Sequence, residues 1–231
     1  MPEPTPDVLT RAKQIRLLLM DIDGTLSAGV CLISLPNDGG IAEMKVFDPQ
    51  DGLALKLAHT MGIRTGFITG RKSPAVAQRA RECDVDYLYL GQAKKSESYE
   101  ECLQKAGVTD EETAYLGDDL PDMPLSRRAG LAIAVANAAP ELKAISHYIT
   151  DRSGGAGAAR EVVELILKAQ GRWETAIPLA LAQGVFATSG GELRRGGDEC
   201  LRVLFARCVA ERLSFAFFND AAALHDDDAV C

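Results

Sequence analysis

Short apolar runs alternate with amphipathic stretches from residue 16 to about residue 170. Leu17-Leu18-Leu19-Met20 is the first run. It is far too short to cross a membrane and suits a buried strand, although periodicity alone does not separate it from a buried helical turn. Leu53, Leu55, Leu57 and Ala58 follow Asp51-Gly52 at helical spacing, and Gly62 closes that stretch. Arg64 to Gly70 reads as a second strand. Ser73-Pro74 then opens a helix, because Ser caps well and Pro fits the first helical position. Tyr87 to Leu90 is a third strand, followed by a helix with Tyr99, Leu103 and Ala106 that ends at Gly107. Thr113 to Gly117 is a fourth strand and residues 130–136 a fifth, small and apolar. A helix near 140–145, a short strand at 147–149 and a helix over 158–170 complete the series. Strands alternating with helices at these lengths predict an α/β fold: a Rossmann-like three-layer sandwich whose parallel sheet is covered on both faces.

Three segments fall outside the alternation. Residues 1–15 predict a loose tip and then a short helix or a lead into the first strand. Between Val30 and Phe47, two extended halves (30–34 and 41–47) flank Leu35-Pro36-Asn37-Asp38-Gly39-Gly40. That turn chemistry predicts a β-hairpin, and its place directly after the first strand suggests a flap. Beyond Trp173 the alternation stops. The division expected is a domain over 1–174 and an extension over 175–231, in which residues 199–217 could form an amphipathic helix.

Composition narrows the chemistry. The net charge of −8 opposes a basic nucleic-acid footprint, so no nucleic-acid partner is expected. None of the six cysteines is spaced C-x-x-C, which argues for free thiols rather than a zinc site. The acidic, proline-rich start is unlike a signal peptide, and no apolar run is long enough to span a membrane. A cytoplasmic protein with no membrane partner is the expectation.

The candidate chemistry sits where the strands end. Asp21-Ile22-Asp23-Gly24-Thr25 follows the first strand, and two acids at i and i+2 on extended chain project to one side. Thr69-Gly70 follows the second strand, Lys95 comes soon after the third, and Asp118-Asp119 follows the fourth. In an open parallel sheet these ends converge on one crevice. Clustered carboxylates suit a hard cation such as Mg²⁺, while a hydroxyl, an ammonium and backbone N–H groups suit phosphoryl oxygens.

This order of motifs resembles the haloacid dehalogenase superfamily of phosphohydrolases over residues 16–173. Within it, G-R-K-S-P-A-V-A-Q-R-A, Y-L-G-Q-A-K-K, L-G-D-D-L-P-D-M-P, A-V-A-N-A-A-P and G-G-A-G-A-A-R-E-V-V-E-L-I-L-K-A-Q-G are similar to the 3-deoxy-D-manno-octulosonate 8-phosphate phosphatase family. The resemblance implies hydrolysis of a phosphorylated eight-carbon keto sugar acid for lipopolysaccharide synthesis, a hairpin instead of a cap domain, and a homotetramer. It implies Asp21 as nucleophile, Asp23 as general acid and then base, and Thr69 and Lys95 as phosphoryl ligands, with Lys94 as the rival for Lys95. Mg²⁺ would be held by Asp21, Asp23 (through its backbone carbonyl) and Asp118, supported by Asp119 or Asp122. Asp23, Gly70, Arg71, Arg79 and Lys95 form the expected substrate-contact set, although the pattern favours a solvated helix face over substrate contact for Arg79. His59 and His147 are expected to be structural.

The chain departs from the family at several points. Thr25 and Ala28 replace a Val and an Asp. Asp48-Pro49-Gln50-Asp51-Gly52 lacks an Arg suited to a sugar carboxylate. Ala156 replaces a basic residue. These positions bear on the substrate rather than on the reaction. Two alternatives stay open: a phosphatase for a nine-carbon keto sugar acid 9-phosphate, and a catalytically silent assembly domain.

Overall fold

The structure is a computed structural model and describes residues 4–29, 32–34 and 42–182. Its first helix, α1 (Pro6–Gln14), starts at Thr5, whose hydroxyl accepts from the Val8 N–H, and buries Val8 and Ala12. Strand β1 (Leu17–Met20) follows and is buried along its whole length. Leu17 and Leu19 point into one core layer, Leu18 and Met20 into the other, as the two-residue period of a strand requires. Each of these side chains contributes roughly 2 kcal/mol by burial. Together they fix the height at which the chain emerges as Asp21.

The predicted hairpin is present in part. β2 (Leu32–Ser34) and β3 (Ala42–Met44) pair antiparallel, with Leu32 opposite Met44 and Ser34 opposite Ala42. The turn expected at 35–40 lies outside the described residues. The second arm leaves the ladder sooner than the pattern suggests, because Phe47 pairs instead with Ser27 in the loop after β1.

The chain then alternates as expected. It runs through α2 (Pro49–Thr60), β4 (Arg64–Ile68), α3 (Pro74–Glu82), β5 (Tyr87–Tyr89), α4 (Lys95–Ala106) and β6 (Thr113–Gly117). After a 3-10 turn at Leu120–Asp122 come α5 (Met123–Ser126), β7 (Leu131–Ala134), α6 (Pro140–Lys143), β8 (Tyr148–Ile149) and α7 (Ala158–Ala169). The six long-range strands form one parallel sheet in the order β5-β4-β1-β6-β7-β8. β1 is central: the connections run outward on one side to β4 and β5, then return to β6 on its other side. Ligands collect at such a switch point. One face packs α1, α2, α3 and α7 residues against Leu18, Met20, Phe67 and Ile133. The other packs Tyr99, Cys102 and Leu103 of α4, with Leu125 of α5, against Leu17, Leu19 and Tyr115.

A further helix, α8 (Trp173–Ala182), starts before the boundary expected at residue 174 and continues past it. Pro178 inside it made the pattern hard to read as helical. The amphipathic segment expected at 199–217 lies outside the described residues.

Helix α7 is capped from a distance. Gly157 offers no side chain for its first turn. The fully buried carboxylate of Asp51, from the first turn of α2, accepts from the N–H groups of Gly157 (3.2 Å) and Arg160 (2.8 Å) instead. Burial raises the Asp51 pKa from 3.8 to about 6 against the pull of those N–H donors. Folded Asp51 therefore binds a proton more readily than unfolded Asp51, so its contribution is greatest below pH 4 and declines as pH rises towards 6. Asp51→Ala should lower stability by about 1–2 kcal/mol near neutrality. Urea unfolding followed at several pH values should show a larger loss at pH 4 than at pH 7.

Candidate active site

The ends of β1, β4 and β6 and the start of α4 enclose a crevice of about 280 Å³. Asp21, Asp23, Thr69, Gly70, Arg71, Gln92, Lys95, Asp118, Asp119 and Asp122 line it. The register explains the convergence. Met20 pairs with Phe67 on one side and Leu116 on the other, so the chain leaves all three strands at the same level.

Lys95 is the centre of the charge arrangement. Its Nζ donates to Asp21 Oδ1 at 2.6 Å and to Asp122 Oδ1 at 2.7 Å, and all three side chains are nearly removed from solvent. Burial pulls the ammonium's pKa down, but the two facing carboxylates more than offset this, so it is raised. Burial lifts the Asp21 carboxyl to about 7; Lys95 opposes that and the negative charge of Asp122 adds to it. Lys94 is exposed at the N-cap of α4, so helical phase turns Lys95, not its neighbour, towards the acids.

Asp122 is saturated. Its Oδ1 accepts from Lys95 and from the Tyr115 hydroxyl (2.8 Å), and its Oδ2 from the N–H groups of Asp118 (3.0 Å) and Asp119 (3.3 Å). Asp119 is exposed and caps the 3-10 turn through the Leu120 N–H. Of the two acids expected to support a metal shell, Asp122 is the one that holds the loop.

Asp21, Asp118 and Asp122 each place a carboxylate oxygen within 4.8 Å of the others. Asp122 has spent its lone pairs on four donors, so Asp21 and Asp118 keep the free coordination sites. Asp118 Oδ1 accepts from Thr25 Oγ1 at 2.8 Å, while burial and the neighbouring acids raise its pKa to about 6. Such raised carboxyls are what a divalent cation would bring back to the charged form. Gly24 lets the loop approach: its φ is +98°, and an added Cβ would lie 2.1 Å from Asp118 Oδ2. The donor set therefore fits a hard cation.

Thr69 is buried at the end of β4 and accepts from the Arg71 N–H at 3.3 Å. Gly70 and Arg71 line the crevice, and Arg71 lies 4.0 Å from Glu43 of β3. Arg79 stands elsewhere. Its guanidinium donates to the Asp48 carbonyl at 2.9 Å and lies 5.4 Å from the centre of the Phe47 ring. It is neither on the walls of the crevice nor on a solvated helix face. Gly52 leaves the space it fills: a Cβ there would come 2.4 Å from its Nη2. Position 50, where the family has Arg, is a Gln whose side chain accepts from Arg152 at 2.7 Å. His147 Nδ1 accepts from the Ala132 N–H at 2.9 Å, a structural role, and half-exposed His59 lies 3.7 Å from Asp86.

The sequence pattern did not single out Lys45. Its side chain is fully buried and its Nζ is paired with Asp23 Oδ1. The signal available was only a Lys just beyond an apolar-and-polar hairpin arm, which reads as solvated surface.

A model of the haloacid dehalogenase-like hydrolase family matches residues 88–162. The 3-deoxy-D-manno-octulosonate 8-phosphate phosphatase of Salmonella typhimurium is 42% identical over 172 residues, covering 74% of this chain and 89% of that protein. The Escherichia coli K12 protein of the same name is 42% identical over 170 residues, 74% of this chain and 88% of that protein. Among solved structures, the Moraxella catarrhalis phosphatase in complex with magnesium, phosphate and KDO is 40% identical with a TM-score of 0.71. The match covers 75% of this chain and 97% of that one. The cobalt-bound Haemophilus influenzae phosphatase is 30% identical with a TM-score of 0.67, over 75% of this chain and 99% of that one.

Thr25→Val keeps the shape of a fully buried side chain and removes the hydroxyl that donates to Asp118 Oδ1. Val is the family's residue at this position, so titration calorimetry should find Mg²⁺ still bound, its affinity lowered by no more than about 10-fold, the low end for loss of an outer-shell partner.

Proposed function

The chain belongs to the 3-deoxy-D-manno-octulosonate 8-phosphate phosphatase family of haloacid dehalogenase-like hydrolases, and we propose from its geometry how it carries out that family's reaction. It is a Mg²⁺-dependent phosphoric monoester hydrolase that releases phosphate from 3-deoxy-D-manno-octulosonate 8-phosphate, a step in lipopolysaccharide precursor synthesis. The observation that carries the reading is the ammonium of Lys95 held on Asp21 beside Thr69 and Asp118.

Asp21 is the nucleophile. Its carboxylate attacks phosphorus, and the bond from phosphorus to the sugar oxygen breaks to leave an aspartyl-phosphate. Lys95 and the Thr69 hydroxyl hold the phosphoryl oxygens, and Lys95 keeps Asp21 oriented for attack. Asp23 Oδ2 is buried with no hydrogen-bond partner among the described residues, and it delivers the proton that the departing sugar oxygen needs. The same carboxylate then takes a proton from water, whose oxygen attacks phosphorus and frees Asp21. Asp21, Asp118 and the backbone carbonyl of Asp23 would hold Mg²⁺, which supplies positive charge to the acids and the phosphoryl oxygens. All of these residues lie inside the domain expected over 1–174. A homotetramer in the cytoplasm belongs to the same reading, and light scattering of the purified chain tests the assembly.

The loss of Arg at position 50 and of a basic residue at 156 favours a check on the sugar. The eight-carbon 8-phosphate should be hydrolysed with a higher kcat/KM than a nine-carbon 9-phosphate; the reverse order assigns the chain to the longer sugar. Asp21→Asn should lower phosphate release by several orders of magnitude while leaving the unfolding midpoint near that of the parent. Chelation with EDTA should abolish turnover, and added Mg²⁺ should restore it.

A further inference from the structure

The hairpin strand β3 reaches into the site through charged side chains. Lys45, just past β3, is buried and holds Asp23 Oδ1, while its Nζ is also 3.5 Å from Glu43 Oε1. The other Glu43 oxygen accepts from the Ser73 hydroxyl, and Ser73 in turn caps α3 by accepting from the Val76 N–H at 3.3 Å. Phe47 is paired with Ser27, which is itself bridged to Asp23. The segment from Glu43 to Phe47 therefore ties the loop after β1 to the loop after β4, and Lys45 is the tie that ends on Asp23.

We propose that Lys45 is a positioning residue for Asp23: by holding Oδ1 it aims the unpartnered Oδ2 at the leaving oxygen of the substrate. The inference rests on the phosphatase reading given above. As the bond from phosphorus to the sugar oxygen breaks, the proton on Oδ2 passes to that oxygen and Asp23 becomes a carboxylate. Lys45 keeps that carboxyl in the orientation the transfer needs, and misorientation of the acid lowers kcat. Lys45 does not touch the phosphoryl group in this scheme; it acts through Asp23. The buried ammonium also couples the hairpin to the chemistry, since displacing β3 withdraws the group that orients the acid.

The test separates leaving groups. An alkoxide such as a sugar oxygen needs a proton to depart, whereas p-nitrophenolate does not. Lys45→Met should lower kcat on the sugar phosphate by about 10²-fold, within the range expected for general acid catalysis, and change kcat on p-nitrophenyl phosphate by less than about threefold. Lys45→Arg, which keeps a cation against Asp23, should recover most of the loss. The ratio of the two rates does not depend on the fraction of enzyme folded. A ratio unchanged in Lys45→Met, or in Lys45→Gln should the first variant not fold, overturns the proposal. So does a raised KM for the sugar phosphate with kcat intact, because that makes Lys45 a substrate ligand. Parent enzyme that releases phosphate from p-nitrophenyl phosphate but not from the sugar phosphate instead overturns the assigned substrate, before any variant is made.

Discussion

Four acids crowd the carboxyl ends of two adjacent strands, and one buried ammonium makes that tolerable. Asp21 and Asp122 face each other across Lys95, and without it two desolvated carboxylates would meet with no positive charge between them. Removing Lys95, which would leave both acids buried without a counter-charge, costs about 3–5 kcal/mol, whereas neutralising Asp21 leaves Lys95 paired with Asp122. The surrounding structure serves to keep this arrangement intact. Tyr115, from β6, donates to Asp122 from below, and the Asp118 and Asp119 N–H groups donate from the loop above. Asp122 is thus the most heavily bonded of the set, and it fixes Lys95 against Asp21.

Close approach of backbone is the second constraint. The loop after β1 and the glycine-rich loop before α7 lie against each other with no space for side chains. Gly155 N donates to the Thr25 carbonyl at 2.9 Å, and a Cβ on Gly155 would come 2.3 Å from the Ala28 nitrogen. The glycines before α7 therefore make room for the loop that carries Asp23 and Thr25. Asp51 completes the joint by capping α7 from α2, so the helix start is held by a residue that is remote along the chain. This ties the core layer formed by α2 and α7 to the placement of the first loop.

Much of the site was legible because each strand announces its own end. Asp21, Thr69 and Asp118 each follow an apolar run directly, and a parallel sheet brings such ends together whatever the connecting helices contain. Lys95 was harder, since it starts a helix and the phase of that first turn decides whether it or Lys94 faces inward. Asp122 and Lys45 were harder still. Asp122 reads equally well as a carboxylate at a helix start, and only its four donors reveal its position. Lys45 sits where strand pairing stops, and its burial depends on a contact with Asp23 across 22 residues. Arg79 was hard to place for the converse reason: its guanidinium meets a ring and a carbonyl that the pattern could not set beside it.

Read alone, the chain determined its alternation of strands and helices, the parallel sheet, the acids and hydroxyl at the strand ends, and its family. These depend on local periodicity and on residues adjacent to the strands that carry them. Tertiary structure decided which carboxylate is spent on bracing and which remains free, which lysine faces Asp21, and that a hairpin lysine grips Asp23. Those are questions of side-chain direction and lone-pair occupancy, and they are answered only when segments distant in sequence compete for the same few ångströms.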